Sequence, residues 1–155
     1  MNEASTAKLF KAKNIALRFL KVRDRSEQEI LARLRKDNFT DETIQKTLGY
    51  LKSVRLVDDR QFTRKWIETR LGKPFGLKRI AFELKEKGID EQLIAEEFSR
   101  LKNDYSEEKT VRQIIQEYCE KHKGMEKEIV KQKLTGYLAN RGFHEEIIDE
   151  EIGTL

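Results

Sequence analysis

Ser26-Glu27-Gln28-Glu29-Ile30-Leu31-Ala32-Arg33-Leu34-Arg35-Lys36-Asp37-Asn38-Phe39-Thr40 encodes the start, the face and the end of one helix, and the opening of the next. Ser26 with Glu29 three residues on forms a capping box, in which each side chain satisfies the other's backbone N–H. Ile30 and Leu34 lie one helical turn apart and face the same side. Asn38 stands where that helix ends and is of a type that tolerates the left-handed conformation. Phe39 is placed to fold back on the last turn. Thr40 then reads as the N-cap of a second helix, with Asp41 and Glu42 in the first turn, where the helix dipole favours carboxylates.

The same pattern recurs twice. Ile30, Leu34, Asn38, Phe39, Ile44, Leu48 and Leu51 become Ile80, Leu84, Gly88, Ile89, Ile94, Phe98 and Leu101 fifty residues on. A further fifty-four residues on they become Leu134, Leu138, Gly142, Phe143, Ile148, Ile152 and Leu155, with no gap inside the unit. Asp90 matches Thr40 as an N-cap; His144, at the third cap position, is a poorer one. A further helix precedes each pair. In the first copy it is expected over 7–23. In the second it opens at Asp58 or Asp59 and runs through Phe62, Trp66 and Arg70. In the third it opens at Ser106 and runs through Val111, Ile115 and Tyr118. Breaks fall at 72–76, which holds Pro74, and at Lys123-Gly124. The expected fold is all-α: three tandem three-helix repeats, at 1–56, 57–103 and 104–155, stacked into an elongated, curved array in which each copy mainly touches its neighbours.

Composition agrees with helices that each carry one apolar stripe. Charged residues make up 39% and hydrophobic residues 37%, and a single proline leaves few helix breaks. Charge is unevenly spread. Residues 1–57 hold thirteen Lys/Arg against seven Asp/Glu, residues 58–101 ten against nine, and residues 102–155 nine against twelve. A basic front and an acidic back favour an anionic partner for the first half. Cys119 is the one cysteine, so no intrachain disulfide forms, which fits a reducing compartment. No apolar run approaches the ~20 residues that span a membrane. Residues 1–13 lack the apolar core of a secretory signal. A cytoplasmic protein that leaves membranes alone is expected.

No catalytic constellation emerges. His122 and His144 lie in different elements, with only Cys119 near the former, whereas a structural zinc site takes four Cys/His ligands. Asp58-Asp59 reads as a helix cap followed by a first-turn acid, Trp66 as packing four residues after Phe62, and Cys119 as a small, partly buried side chain. The sequence therefore predicts a binding protein without metal or cofactor, and not an enzyme.

Two cationic groups mark the expected binding face. Arg18, Lys21 and Arg25 form one stripe if the first helix continues that far, with Lys8 and Lys11 upstream. Arg64, Lys65, Arg70, Lys73, Lys78 and Arg79 flank the glycine-proline break, where the start of the following helix is expected to offer free N–H groups to an anion. Such groups suit a phosphate backbone or an acidic protein surface. Glu68 and Glu83, each four residues after an arginine, dilute the field. The helix pairs are helix-turn-helix-like, yet no helix carries a set of base-reading side chains.

Three stretches carry a resemblance: Ser26-Glu27-x-Glu29-Ile30-x-x-x-Leu34; Leu56-Val57-Asp58-Asp59-x-x-Phe62-x-x-x-Trp66-Ile67-x-x-Arg70; and Gly76-x-x-Arg79-Ile80-x-x-Glu83-Leu84-x-x-Lys87-Gly88-Ile89. From about residue 16 onward the chain resembles the RecX family of bacterial recombination regulators, the third repeat mainly in its apolar framework. The resemblance implies three tandem three-helix repeats, with Asp58-Asp59 as a structural signature. It also implies binding to the RecA recombinase and its nucleoprotein filament, in the filament groove, with modulation of recombinase, ATPase and coprotease activity, usually by inhibition. Single- or double-stranded DNA is the second partner, and a monomer is expected. The alternative is a general, non-sequence-specific DNA-binding helical-repeat protein.

Overall fold

The computed structural model describes residues 2–155; Met1, with which the first repeat is expected to begin, lies outside them. Among the described residues there are nine α-helices and one turn of 3-10 helix, Leu101–Asn103, and no strands. The helices are α1 (Glu3–Val22), α2 (Glu27–Lys36), α3 (Asp41–Ser53), α4 (Asp59–Leu71), α5 (Leu77–Glu86), α6 (Glu91–Arg100), α7 (Glu107–Lys121), α8 (Lys127–Asn140) and α9 (Glu145–Gly153). The chain divides into two compact units, Met1–Lys65 with Lys85–Leu93, and Trp66–Leu84 with Ile94–Leu155.

Helix ends follow the capping chemistry. Ser26 and Glu29 form both halves of the capping box. Thr40, Asp58, Asp90 and Ser106 each accept from a first-turn N–H. Asn38, Gly88 and Gly142 adopt left-handed φ values of 65°, 77° and 83°. His144 makes no side-chain cap. The first helix begins earlier than expected, because Asn2 caps it by accepting from the Ser5 N–H.

In the first unit α1, α2 and α3 enclose Ala12, Ala16, Ile30, Leu34, Ile44, Leu48, Leu51 and Val57. In the second, α7, α8 and α9 enclose Val111, Ile115, Val130, Leu134, Leu138, Phe143, Ile148 and Ile152. The equivalent anchors of the second copy, Ile80, Leu84, Ile89 and Ile94, are buried too. Phe98, Leu101 and Leu155 are only half-buried, so the last turn of the pattern is looser than in the first copy, where Leu48 and Leu51 are buried.

One junction is built twice, once in each unit. In the first unit the Ser26 hydroxyl donates to the Lys87 carbonyl, and the Glu27 N–H donates to Asp59 Oδ1 at 2.8 Å. In the second the Gly76 N–H donates to the Arg141 carbonyl at 2.8 Å, and the Leu77 N–H donates to Glu107 Oε1 at 3.0 Å. Ser26 and Gly76, Glu27 and Leu77, and Lys87 and Arg141 are equivalent in the repeat. Asp59 and Glu107 are likewise each the first residue of a helix, α4 and α7. A carboxylate thus closes the N-terminus of a helix in the preceding copy, where the dipole and the free N–H groups favour it. Asp59 is not the cap of its own helix; Asp58 is. Burial raises the Asp59 pKa, against the lowering effect of the Glu27 N–H.

Candidate functional site

The second cationic group condenses around one ring. Phe75 lies buried in the loop between α4 and α5. The guanidinium carbons of Arg70, Arg79 and Arg141 stand 5.0, 4.5 and 4.9 Å from its centroid. The last turn of α4 supplies Arg70, the first turn of α5 supplies Arg79, and the residue after α8 supplies Arg141. The negative face of an aromatic ring attracts each cation by about 0.5–2 kcal/mol, depending on desolvation.

Glu83 is the carboxylate of this cluster. It accepts from Arg70 Nε at 2.8 Å, from Arg79 Nε at 3.3 Å and from Trp66 Nε1 at 2.9 Å. Trp66 is therefore half-buried and anchored by its indole N–H, as a packing residue. Arg79 also reaches the Asn140 carbonyl, and Arg141 lies 5.2 Å from the Tyr137 ring centroid. Three guanidiniums surround the ring, and the one carboxylate pairs with two of them. Arg141 has no carboxylate partner among the described residues, and the exposed Lys73 and Lys78 carry no ion pair there either. The cations of this cluster therefore outnumber its carboxylates.

Two expectations are corrected. The N–H groups that open α5 are already engaged: Gly76, Leu77 and Lys78 donate to Arg141, Glu107 and Gly142 respectively. A carboxylate of the protein already sits where an external anion was expected. The stripe on the first helix also fails at its third member. α1 ends at Val22 with Arg23 extended, so Arg25 lies outside the helix. Its guanidinium folds onto the Phe19 ring at 3.7 Å and its Nε donates to the Phe19 carbonyl. Burial and the neighbouring Arg23 lower the Arg25 pKa. Arg18 and Lys21 remain exposed on α1. Lys65 is exposed and paired with Asp24 at 3.0 Å, and Arg64 is exposed on the same turn of α4.

Arg141, Phe75 and Tyr137 are functional candidates that sequence reasoning missed. The available signal was the position itself: the residue before the left-handed glycine is cationic in both later copies, Lys87 and Arg141. Lys87 and Arg23 both pair with Glu29. Burial opposes ionisation of Glu29, yet the hydrogen bonds from Arg23 and Lys87 outweigh it and hold its pKa below the ordinary value.

The reactive side chains are otherwise engaged. His144 Nδ1 is bonded to Glu107, His122 is stacked on Tyr118 and bonded to its carbonyl, and Cys119 packs against the α7–α9 core. No group of His, Cys, Asp and Glu among the described residues has metal-binding geometry. No helix among them is long and apolar enough to cross a membrane.

Three-helix units that share equivalent anchors and junctions define a tandem helical-repeat protein. Two family models match: "RecX, first three-helix domain" over residues 12–51 and "RecX, second three-helix domain" over residues 58–96. The regulatory protein RecX of Prosthecochloris aestuarii is 36% identical over 149 residues, 94% of this chain and 93% of that one. That of Chlorobium phaeobacteroides is 34% identical over 146 residues, with 94% and 93% covered. The crystal structure of RecX from Lactobacillus salivarius superposes with a TM-score of 0.81 over 97% of each chain, at 20% identity, a likeness of fold. This chain belongs to the RecX family, whose relatives are named regulatory proteins.

Proposed function

We propose that the protein binds the RecA recombinase and its nucleoprotein filament in the filament groove, and inhibits the recombinase, ATPase and coprotease activities from there. It acts in the cytoplasm and performs no chemistry of its own. The observation that carries the reading is the Phe75 cluster, whose cations outnumber its one carboxylate, in a member of a family of regulators. A filament groove offers both acidic protein surface and DNA backbone, and a preorganised arginine cluster suits either anion. Occupying the groove impedes strand exchange and access by other substrates without any bond being made or broken. General DNA binding without a recombinase partner is the second reading, supported by the excess of thirteen Lys/Arg over seven Asp/Glu in residues 1–57.

The test is DNA-dependent ATP hydrolysis and strand exchange by RecA with the protein titrated in at substoichiometric ratios. Inhibition that is lost in the double variant Lys78→Glu, Arg141→Glu supports the proposal; both residues are free of the Glu83 hub that Arg70 and Arg79 hold together. Stimulation would keep the partner and reverse the sign. No effect at excess protein, with filament binding also absent, would leave the general DNA binder as the better reading.

A further inference from the structure

Val54-Arg55-Leu56, the turn between α3 and α4, places an arginine where the backbone favours glycine or asparagine. The Arg55 N–H donates to the Lys52 carbonyl at 3.0 Å and the Leu56 N–H to the Leu51 carbonyl at 2.9 Å, which forces φ at Arg55 to 59°. At its other left-handed turns the chain uses asparagine or glycine, Asn38, Gly88 and Gly142. Arginine is disfavoured there by its Cβ. Strained positions that persist point to a use for the side chain.

The surroundings indicate what that use is. The Arg55 side chain is exposed and has no hydrogen bond or ion pair among the described residues. It borders a cavity of about 120 Å³ shared with Asp24, Arg25, Leu56, Asp58 and Lys65. The other charges there are committed. Lys65 pairs with Asp24, Arg25 is held on the Phe19 carbonyl, and Asp58 caps the Gln61 N–H. Among the described residues, Arg55 is the one cation of the cavity left without a partner. On either side of it Val54 and Leu56 are 46% and 47% exposed.

We infer that this turn is a docking surface for an acidic side chain of a protein partner, whose carboxylate pairs with Arg55 while an aliphatic neighbour covers Val54 and Leu56. A nucleic-acid backbone fits poorly. With Asp24 and Asp58 lining the cavity, the one spare guanidinium has room for a single negative charge and not for a chain of phosphates, and the two apolar flanks gain nothing from a polyanion. A single carboxylate beside an aliphatic group matches both the one spare guanidinium and its flanks. The inference rests on the proposed function for the partner's identity, the recombinase, and adds a protein-reading surface separate from the arginines around Phe75.

The experiment measures the affinity of wild type and Arg55→Gly for RecA filament assembled on single-stranded DNA with a non-hydrolysable ATP analogue, and for the same DNA alone. Glycine is the residue that backbone prefers, so the variant should melt at the same temperature as wild type or higher. Arg55→Asn, of the type that holds the left-handed position at Asn38, serves as a second variant. The expected result is filament binding weakened about 10-fold in both variants, as befits removal of one charge-assisted hydrogen bond, with binding to bare DNA unchanged. Unchanged filament binding by the variants overturns the docking surface and leaves the proposed function standing. An equal loss on bare DNA overturns it in favour of phosphate recognition. Failure of wild type itself to bind filament removes the proposed function and this docking surface with it.

Discussion

At Gly142 the backbone turns with φ 83°, and a methyl group there would lie 2.6 Å from the Arg79 nitrogen and collide with its Cβ. Gly142→Ala should therefore destabilise by more than about 1 kcal/mol, since both the conformation and the space exclude a side chain. Gly49, by contrast, sits inside α3, where an added methyl would meet nothing within 4 Å. Gly49→Ala should stabilise by about 0.5–1 kcal/mol through reduced unfolded-state freedom. Urea unfolding of the two variants checks both signs. Sequence made Asn38, Gly88 and Gly142 legible as left-handed positions because their residue types advertise it. Arg55 was invisible for the opposite reason: arginine carries no signal for that conformation, and only the bonds to Leu51 and Lys52 impose it. Arg25 was misplaced because periodicity extended a helix that Arg23, in extended backbone, had already ended.

Helix starts were the most legible elements, since a cap and its N–H lie within a few residues of each other. Ser26, Thr40, Asp58, Asp90 and Ser106 all cap as their types and spacing predict. Glu107 stands in the first turn of α7. Its carboxylate serves α5 instead, bonding the Leu77 N–H, and its other oxygen meets His144. Such a role depends on what another copy brings near, which local spacing does not encode. Glu107→Ala leaves the Leu77 N–H without its acceptor and should cost about 1–3 kcal/mol in thermal unfolding. Glu107→Gln keeps an acceptor oxygen and should cost less. Equal stability of all three proteins would show that the junction contributes nothing.

For the whole molecule, the all-α class and the repeating anchors were readable because an apolar stripe at helical spacing is a property of contiguous sequence. The binding candidates were readable only in part. Arg70, Lys73, Lys78 and Arg79 stood together in the chain, but Arg141 joins them from about sixty residues away, and Glu83 proves to be the hub of the cluster. If these cations meet DNA as proposed, binding should weaken as salt rises, because it releases counterions from the phosphates. In a titration of filament binding against log[NaCl], the Lys78→Glu, Arg141→Glu variant should show a slope shallower by roughly 2, one for each phosphate no longer neutralised. An identical slope would mean that these residues meet no phosphate.

The repeated junction also sets an order of events during synthesis. A chain is made from its N-terminus, so Glu27 emerges 32 residues ahead of the carboxylate that receives its N–H, and Ser26 emerges 61 residues ahead of its carbonyl partner. Leu77 likewise precedes Glu107 by 30 residues. At each stage the nascent chain carries a helix whose N-terminus is still open, to be closed by the copy made next. The ribosome thus releases an unfinished end until the last repeat is complete, and a chain halted early stays exposed at that helix to chaperones and proteases.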